Sequence, residues 1–484
     1  IRNKNINDIK KMVRLENEKF HLIDYFDEIR RTAKVLWDDL CNYSVSIDGL
    51  ILQTSKSKGM ILPSKPDEEE KLRRKEEDEI IGGYVYAKTG RYDDVSLFDV
   101  SGTYPSLIVT FNLDPANKIK PPSIYNPSLL IKRIGIGIKQ NSDAIVPTVA
   151  NRLINSRKQI QKELESKIGD EYNLLKKQDE AHKSLNNTLY GILLFKNSRI
   201  YDKDIADTIT YLARFLIRYT KYILKLNGYE VVASDTDSIF VKSRDYEKIE
   251  KLCNEVLIPK WLNHFGKKEG KIKFKYEGYF ENVVFESPKH YKGNFITAKG
   301  EHKSIDKGIE IVRKDSSKFQ EEFLEEFYGK ILKGETEENI AKWILEQIKE
   351  LPNKSLRYIA FPFQITQTTY KSPPIFMRAL QYTDEIIPDF SKDYHNELYY
   401  IYVKPFGKAE RHSKSMRKNK ETGKKELRES HTVIDKNVLA FDESINHIKE
   451  VDYDEMIRRN ILDKAKKLFD ALKWNKELIG IKIK

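Results

Sequence analysis

The sequence predicts an α+β protein of more than one domain, and three observations lead there. Its 484 residues exceed one ordinary core, so about two to four domains are expected. Apolar residues recur at helical spacing in long blocks, most plainly in "ADTITYLARFLIRYTKYILKL" (206–226). Between such blocks stand β-rich runs broken by turn residues, such as "VVASDTDSIFVKS" (231–243), which read as antiparallel hairpins.

The elements follow in chain order. Residues 1–50 read as helical, with Phe20, Leu22, Ile23, Phe26, Ile29 and Leu36 near helical spacing. The run "KPDEEEKLRRKEEDE" (65–79) is a charged, solvated helix opened by Pro66. In "GGYVYAKTGRYDDVSLFDVSGTYPSLIVTF" (82–111), a short β stretch turns at Thr89–Gly90, and the strand "VSLFD" runs into a helix. Residues 148–166 and 174–195 form an antiparallel helix pair, followed by the helix 206–226 and the turn "NGYE". Beyond residue 316 the chain is helical again and later Lys-rich. The segment 408–428 holds nine Lys/Arg against three Glu and is expected to be a basic loop, either a solvated linker or a nucleic-acid contact. "RIGIGIK" (133–139) lacks a third glycine and reads as ordinary structure. The C-terminal "FDALKWNKELIGIKIK" has no clean clamp-binding pattern and is expected to fray.

Composition narrows the function. Hydrophobic residues at 39% suffice for globular cores. A net charge of +12 fits a polyanionic partner, although basic surfaces also serve solubility. Cys41 and Cys253 are far apart and suggest neither a disulfide framework nor a zinc site, so a reducing cytosol is expected. The histidines show no metal-ligand spacing. No apolar run approaches the roughly 20 residues that span a bilayer, so no membrane role is expected. The chain opens with Ile1, which suggests a trimmed or processed piece.

Three short stretches carry chemistry. Asp235 and Asp237 sit one residue apart at a hairpin tip, where one would take up a proton unless a cation lies nearby. Asp99 ends a strand just before a helix start, an arrangement suited to a cation and anionic oxygens together. Each alone is more often turn chemistry. In "KSLNNTLYG" (183–191), Lys183, Asn187 and Tyr190 or Gly191 share one helix face, which offers charge for phosphate and a flat surface for a base. Arg157 lies on the preceding helix and could point its guanidinium into the same space.

Together these residues resemble the polymerase portion of a family B DNA polymerase, most like the archaeal type. The family's D-x-x-S-L-Y-P-S motif resembles Asp99 to Ser106, its K-x-x-x-N-S-x-Y-G motif Lys183 to Gly191, and its Y-G-D-T-D-S motif Ala233 to Ser238. A K-x-Y motif matches Lys289 and Tyr291 in "SPKHYKG", and "KGIEIVRKDSS" (307–317) resembles a flanking segment. The order and spacing of the four agree with the family from about residue 45 to 317, and more weakly to the end.

The resemblance implies a right-hand fold with an antiparallel-sheet palm (81–148 and 196–315), helical-hairpin fingers (149–195) and a mostly helical thumb (316–484). Residues 1–80 would be the helical remnant linking an exonuclease to the palm. It implies DNA-templated addition of deoxynucleotides with two Mg²⁺ ions, Mn²⁺ being the substitute. Asp99 and Asp237 would bridge the metals, with Asp235 supportive and Val100 among the ligands. Glu277 is a further candidate, equally readable as an exposed strand residue. Lys183 and Arg157 would hold the triphosphate, beside Gly102 and Thr103. Asn187 and Tyr190 would shape the base pocket, and Tyr104 would exclude a 2′-hydroxyl. Lys289, Tyr291, Gly191 and Thr236 would meet primer–template DNA.

The sequence departs from the pattern at Gly102-Thr103, at Thr188, at Ala233-Ser234 and at Gln161, where a second finger cation is expected. Lys158 or Lys162 could replace that cation. These changes support an alternative, a catalytically weakened DNA-binding or scaffold subunit. A sugar-nucleotide transferase accounts for the paired aspartates but not for Lys183, Asn187 and Lys289. No D-x-E exonuclease strand is seen, and Lys4 stands near Asp8 where a tyrosine is expected. The chain alone is therefore expected not to proofread, and an exonuclease-bearing chain, accessory subunits and a sliding clamp stay open as partners. The exposed apolar face of the first 50 residues would favour a partner chain. A nucleoid-associated, cytoplasmic location follows from this reading.

Overall fold

The computed structural model describes residues 2–120, 128–140, 142–310, 315–365, 374–392, 397–418, 425–442 and 447–481. They fall into two compact units, Ile1–Tyr86 with Ser96–Tyr279, and Ala87–Val95 with Phe280–Lys484.

The first unit opens with three helices, α1 (Arg2–Leu15), α2 (Leu22–Ala33) and α3 (Tyr43–Ser57). A π-turn and His21 at φ 47° break the path between α1 and α2. Ile29 is fully buried, whereas Phe20, Leu22, Ile23 and Leu36 stay exposed, so only part of the expected apolar stripe enters the core. In α4 (Glu68–Glu76), Asp67 caps the helix by accepting from the Glu70 amide at 2.9 Å, an interaction worth about 1 kcal/mol. Arg74 is not solvated as expected. It is buried, donates to the carbonyls of Lys196 and Ser198, and lies 4.7 Å from the Tyr201 ring.

Next come β1 (Tyr84–Ala87), β2 (Gly90–Val100) and α5 (Thr103–Phe111). A small sheet of β3 (Lys118–Ile119), β4 (Ser128–Ile131) and β5 (Ile136–Lys139), in the order β3-β5-β4, accounts for "RIGIGIK". The helix pair α6 (Ile145–Leu164) and α7 (Gly169–Ile192) leads to α8 (Lys203–Leu226). Asp202 caps α8 through the Ile205 amide, and its buried stripe runs through Ile209, Leu212, Ala213, Leu216 and Ile217. The hairpin β6 (Glu230–Thr236) and β7 (Ser238–Lys242) follows, then α9 (Tyr246–Lys251), α10 (Ile258–His264) and β8 (Phe274–Ser287). Within this unit the strand order is β1-β6-β7-β2-β8. Its core joins the sheet residues Phe98, Val100, Ile239 and Val241 to Leu107, Leu185, Leu189 and Leu216 of the helices.

The second unit contains the hairpin β9 (His290–Thr297) and β10 (His302–Lys307), with Tyr291 opposite Lys307. Helices α11 (Lys318–Lys333), α12 (Glu337–Glu350) and α13 (Leu356–Ile359) precede β11 (Phe361–Phe363). Then come α14 (Ile375–Asp384) and β12 (Leu398–Tyr402). β13 (Lys408–Lys418), β14 (Lys425–Asp435), β15 (Val438–Phe441), α15 (Tyr453–Ile457) and α16 (Asp463–Leu472) complete it. A separate sheet orders as β11-β12-β15.

The basic segment 408–428 is not the expected loop. It belongs to a long antiparallel hairpin in which Lys408 faces Asp435 and forms an ion pair with it. A polar sequence can pair as strands through its backbone hydrogen bonds, a pattern that composition alone hides. Its tip, 419–424, lies outside the described residues. The C-terminal segment is docked rather than frayed as far as residue 481: Ile479 is buried and Trp474 packs edge-on to Phe469 at 5.2 Å. Among the described residues no helix is long and apolar enough to cross a membrane. Both cysteines are free, Cys253 buried and Cys41 exposed.

Candidate active site

Two backbone pairings bring the distant aspartates together at one end of three neighbouring central strands of the first unit's sheet. β2 pairs antiparallel with β7 so that Asp99 faces Ser238, and β6 sets Asp235 opposite that same serine. The Val100 amide then donates to the Asp237 carbonyl at 3.0 Å, joining the end of β2 to the hairpin tip. The tip is tight. Thr236 has φ 63°, and the Asp237 amide donates to the Asp235 carbonyl at 2.7 Å. Gly83 lies against this turn, where a Cβ would come 2.7 Å from Thr236 Cγ2 and 3.1 Å from its Cα.

The carboxylates occupy different surroundings. Asp235 is buried and accepts from the Thr236 hydroxyl at 3.1 Å, whereas Asp99 and Asp237 are half-buried. Burial pushes the Asp99 carboxyl up to about 7, helped by the charges of Asp237 and Glu277 and opposed by Lys183 and Lys275. Glu277 of β8 thus shares the field of Asp99, while forming a 3.3 Å ion pair with Lys275. Among the described residues no group of three His, Cys, Asp or Glu side chains forms a ready-made metal cage. Mg²⁺ rarely uses one: it commonly takes one or two carboxylates and completes its shell with water and substrate phosphates. A partly desolvated pair of carboxylates that disfavour each other's charge fits such an ion.

At the start of α5, Gly102 adopts φ 54° with nothing near its missing Cβ, so backbone conformation rather than crowding favours glycine there. Thr103 is buried and donates its hydroxyl to the Val100 carbonyl at 3.0 Å. The Tyr104 ring meets that of Tyr190 from α7, with centroids 4.4 Å apart. Burial raises the pKa of both phenols, and Arg214 of α8 opposes the shift at each.

On α7, Lys183, Asn187 and Gly191 form the expected exposed line, with Tyr190 half-buried beside it. Arg157 of α6 points toward this helix, but its guanidinium is held in two hydrogen bonds by Asp179, at 2.9 and 3.1 Å. Gln161 donates to the same carboxylate at 3.0 Å. Asp179 precedes Lys183 by one turn on the same face, so a carboxylate already engages Arg157 where a phosphate was expected. Lys158 and Lys162 are exposed. Helix α7 is tied to α2 by a buried His182–Glu28 contact of 2.8 Å and by Tyr25 donating to Ser184 at 2.7 Å.

Lys289 and Tyr291 belong to the second unit. Lys289 has φ 68° in the turn between β8 and β9, and Gly308 packs against its carbonyl. Tyr291 is only 6% exposed and packs against Phe285 with centroids 5.3 Å apart. Its neighbour Lys292 is buried between Asp306 and Glu325, at 2.7 and 2.9 Å. Residues 311–314 of "KGIEIVRKDSS" lie outside the described residues.

Asp179, Gly83 and Arg214 were not singled out from the sequence. Gly83 had a signal, the Gly82-Gly83 pair before a strand. Asp179 and Arg214 had none, being ordinary polar positions on amphipathic helices.

A family model described as DNA polymerase family B matches residues 41–371. The "DNA polymerase" of Thermococcus gorgonarius is 28% identical over 339 residues, which cover 68% of this chain and 42% of the relative. "DNA polymerase 1" of Pyrococcus abyssi is 28% identical over 317 residues, covering 64% of this chain and 39% of the relative. The chain thus spans about two-fifths of the length of these curated relatives. The solved family B DNA polymerase from the hyperthermophilic archaeon Pyrobaculum calidifontis superposes with a TM-score of 0.65 at 18% identity. That match covers 96% of this chain and 55% of the solved one, and it shows a shared mixed fold of helices and antiparallel sheet. With about two thirds of its length matched by the family model, this chain belongs to DNA polymerase family B.

Proposed function

We propose that this chain is the polymerising part of a DNA-directed DNA polymerase that extends a primer 3′ end with deoxynucleotides by two-metal nucleotidyl transfer. One observation carries the reading: Asp99 and Asp237, far apart in sequence, share an electrostatic neighbourhood that also contains Lys183 of a separate helix. Asp99 and Asp237, with the Val100 carbonyl, would hold the Mg²⁺ ions; Asp235, buried beneath, positions the turn that carries Asp237. When bound, the ions would activate the primer hydroxyl and neutralise the triphosphate. Lys183 stabilises charge building on the leaving pyrophosphate. Arg157 does so once a triphosphate displaces Asp179 from it. Asn187 and Tyr190 face the incoming base, and Tyr104 fills the space a ribose 2′-hydroxyl would need. Lys289 and Tyr291 would contact primer–template DNA.

In this reading residues 81–148 and 196–315 form the palm, 149–195 the fingers and 316–484 the thumb. Primer–template DNA and deoxynucleoside triphosphates are the substrates, with Mn²⁺ able to replace Mg²⁺. Clamp, accessory and exonuclease-bearing chains are partners to be sought by co-purification. The reading includes no excision by this stretch of chain; shortening of a 3′-mismatched primer would correct that.

Primer extension by the purified chain, with Mg²⁺ and four deoxynucleotides, is the test. Extension that is lost in Asp237→Ala supports the proposal. DNA binding without extension in the unaltered chain would favour the scaffold reading instead.

A further inference from the structure

Helix α7 is seated in the core by its second half alone. No residue from Gly169 to Glu180 is buried, whereas Ala181, His182, Leu185, Leu189 and Ile192 all are. Lys183 therefore stands at the root of a projecting arm, where the helix leaves the core. The direction of an arm is set at its root, so whatever holds α7 there also places Lys183.

Polar contacts grip that root from two sides. On one, Asp179 holds Arg157 and Gln161 of α6. On the other, α2 supplies two residues one turn apart. The Glu28 carboxylate accepts from Gln178 Nε2 at 3.1 Å, meets His182 Nε2 at 2.8 Å, and accepts from Thr32 of its own helix at 3.0 Å. Tyr25 donates its hydroxyl to Ser184 at 2.7 Å and lies 2.9 Å from the Tyr43 hydroxyl of α3. His182 and Ser184 are the two neighbours of Lys183 in sequence.

Apolar packing has no direction and holds two helices together over a range of slides and rotations. A largely buried carboxylate is less tolerant: turning α7 about its axis would leave Glu28 without its donors, which is strongly unfavourable. His182 is only 5% exposed, and its Nδ1 is buried with no hydrogen-bond partner among the described residues. Glu28 is thus the group that orients this ring by hydrogen bonding.

We propose that Glu28 and Tyr25 are positioning residues for nucleotide binding, fixing the rotation and register of α7 at its root and so placing Lys183 against the triphosphate. This role deepens the polymerase reading and rests on it. Both residues act through α7 and not by touching the nucleotide.

The experiment measures the dissociation constant of fluorescent mant-dATP on the whole chain bound to primer–template, with Mg²⁺ and a dideoxy-terminated primer so that no bond forms. Tyr25→Phe, Glu28→Ala and Glu28→Gln are each made in the unaltered chain and in Lys183→Ala, and melting curves establish which fold. Tyr25→Phe deletes only a hydroxyl, so it decides the matter should Glu28→Ala fail to fold. Tyr25→Phe and Glu28→Ala should each weaken mant-dATP by about 2- to 30-fold. Glu28→Gln keeps an acceptor for His182 and should retain most of the affinity. In Lys183→Ala the same changes should have little effect, because their influence passes through Lys183. Unchanged affinity in Tyr25→Phe, or an equal loss with and without Lys183, would overturn the positioning role even in a chain that extends primers. Glu28-dependent binding in a chain that extends nothing would retain the role and place the failure in the chemical step. An unaltered chain that neither binds mant-dATP nor extends primers would remove the polymerase reading and this role with it.

Discussion

The rings of Tyr104 and Tyr190 lie 4.4 Å apart, centre to centre, at 39°. Tyr104 comes from the start of α5 and Tyr190 from the end of α7, so one ring braces the other. Such a pair contributes about 0.5–1.5 kcal/mol beyond simple burial. Tyr104→Ala is expected to raise ribonucleotide insertion, and Tyr190→Ala to raise it less, by letting the Tyr104 ring relax. Filled apolar space of this size discriminates by roughly 10- to 200-fold. The ratio of kcat/KM for ribo- over deoxynucleotides checks this; no change in Tyr104→Ala would move the gate elsewhere.

Asp99 carries an unfavourable charge when no cation is present. Asp99→Asn should therefore abolish extension yet raise the melting temperature in chelator at pH 8. The sign follows from the raised pKa: between about 4 and 7 the folded state holds a proton that the unfolded state has released. Stability from this group is thus full at low pH and lost as pH climbs through about 7. A variant that still extends primers would remove the assignment of Asp99 as a metal ligand.

Asp179 holds Arg157 in two hydrogen bonds, and in the proposed reading it would compete there with the triphosphate. Asp179→Asn should lower KM for the incoming nucleotide by a few-fold, while Arg157→Ala should raise it. An unchanged KM in both would mean that Arg157 only joins α6 to α7.

Gly83 leaves room for the turn that carries the paired aspartates. Gly83→Ala places a methyl group 3.1 Å from the Thr236 Cα, so the turn must shift. A 1 Å displacement of a reacting group can cost about a hundred-fold. The fall should appear in kcat with oligonucleotide affinity kept, as single-turnover kinetics would reveal. Full activity would show that the turn tolerates the shift.

Glu28 links the start of the chain to α7. The hydrogen bond from His182 holds its pKa below the usual range, with burial opposing and Thr32 and Gln178 assisting. Its contribution to stability is present above about pH 4.5 and fades as pH falls through the lower folded value. Melting curves from pH 6 to 3 should be steeper for the unaltered chain than for Glu28→Gln. Identical curves would show that the contact contributes nothing.

What the sequence determined by itself were the local elements and the ordered motifs. The helices read at 148–166, 174–195 and 206–226, which the structure sets at Ile145–Leu164, Gly169–Ile192 and Lys203–Leu226, the strand ending at Asp99 and the hairpin at Asp235–Asp237 all follow from short-range periodicity and turn chemistry. Tertiary structure alone decided what those elements meet. Asp179 reaches Arg157 only because two helices pack side by side. Glu277 approaches Asp99 through a neighbouring strand. Even the basic hairpin was hidden, because its strands pair residues far apart in sequence through the backbone. Local conformation is written in neighbouring residues, whereas an electrostatic field is the sum over whatever the fold brings near.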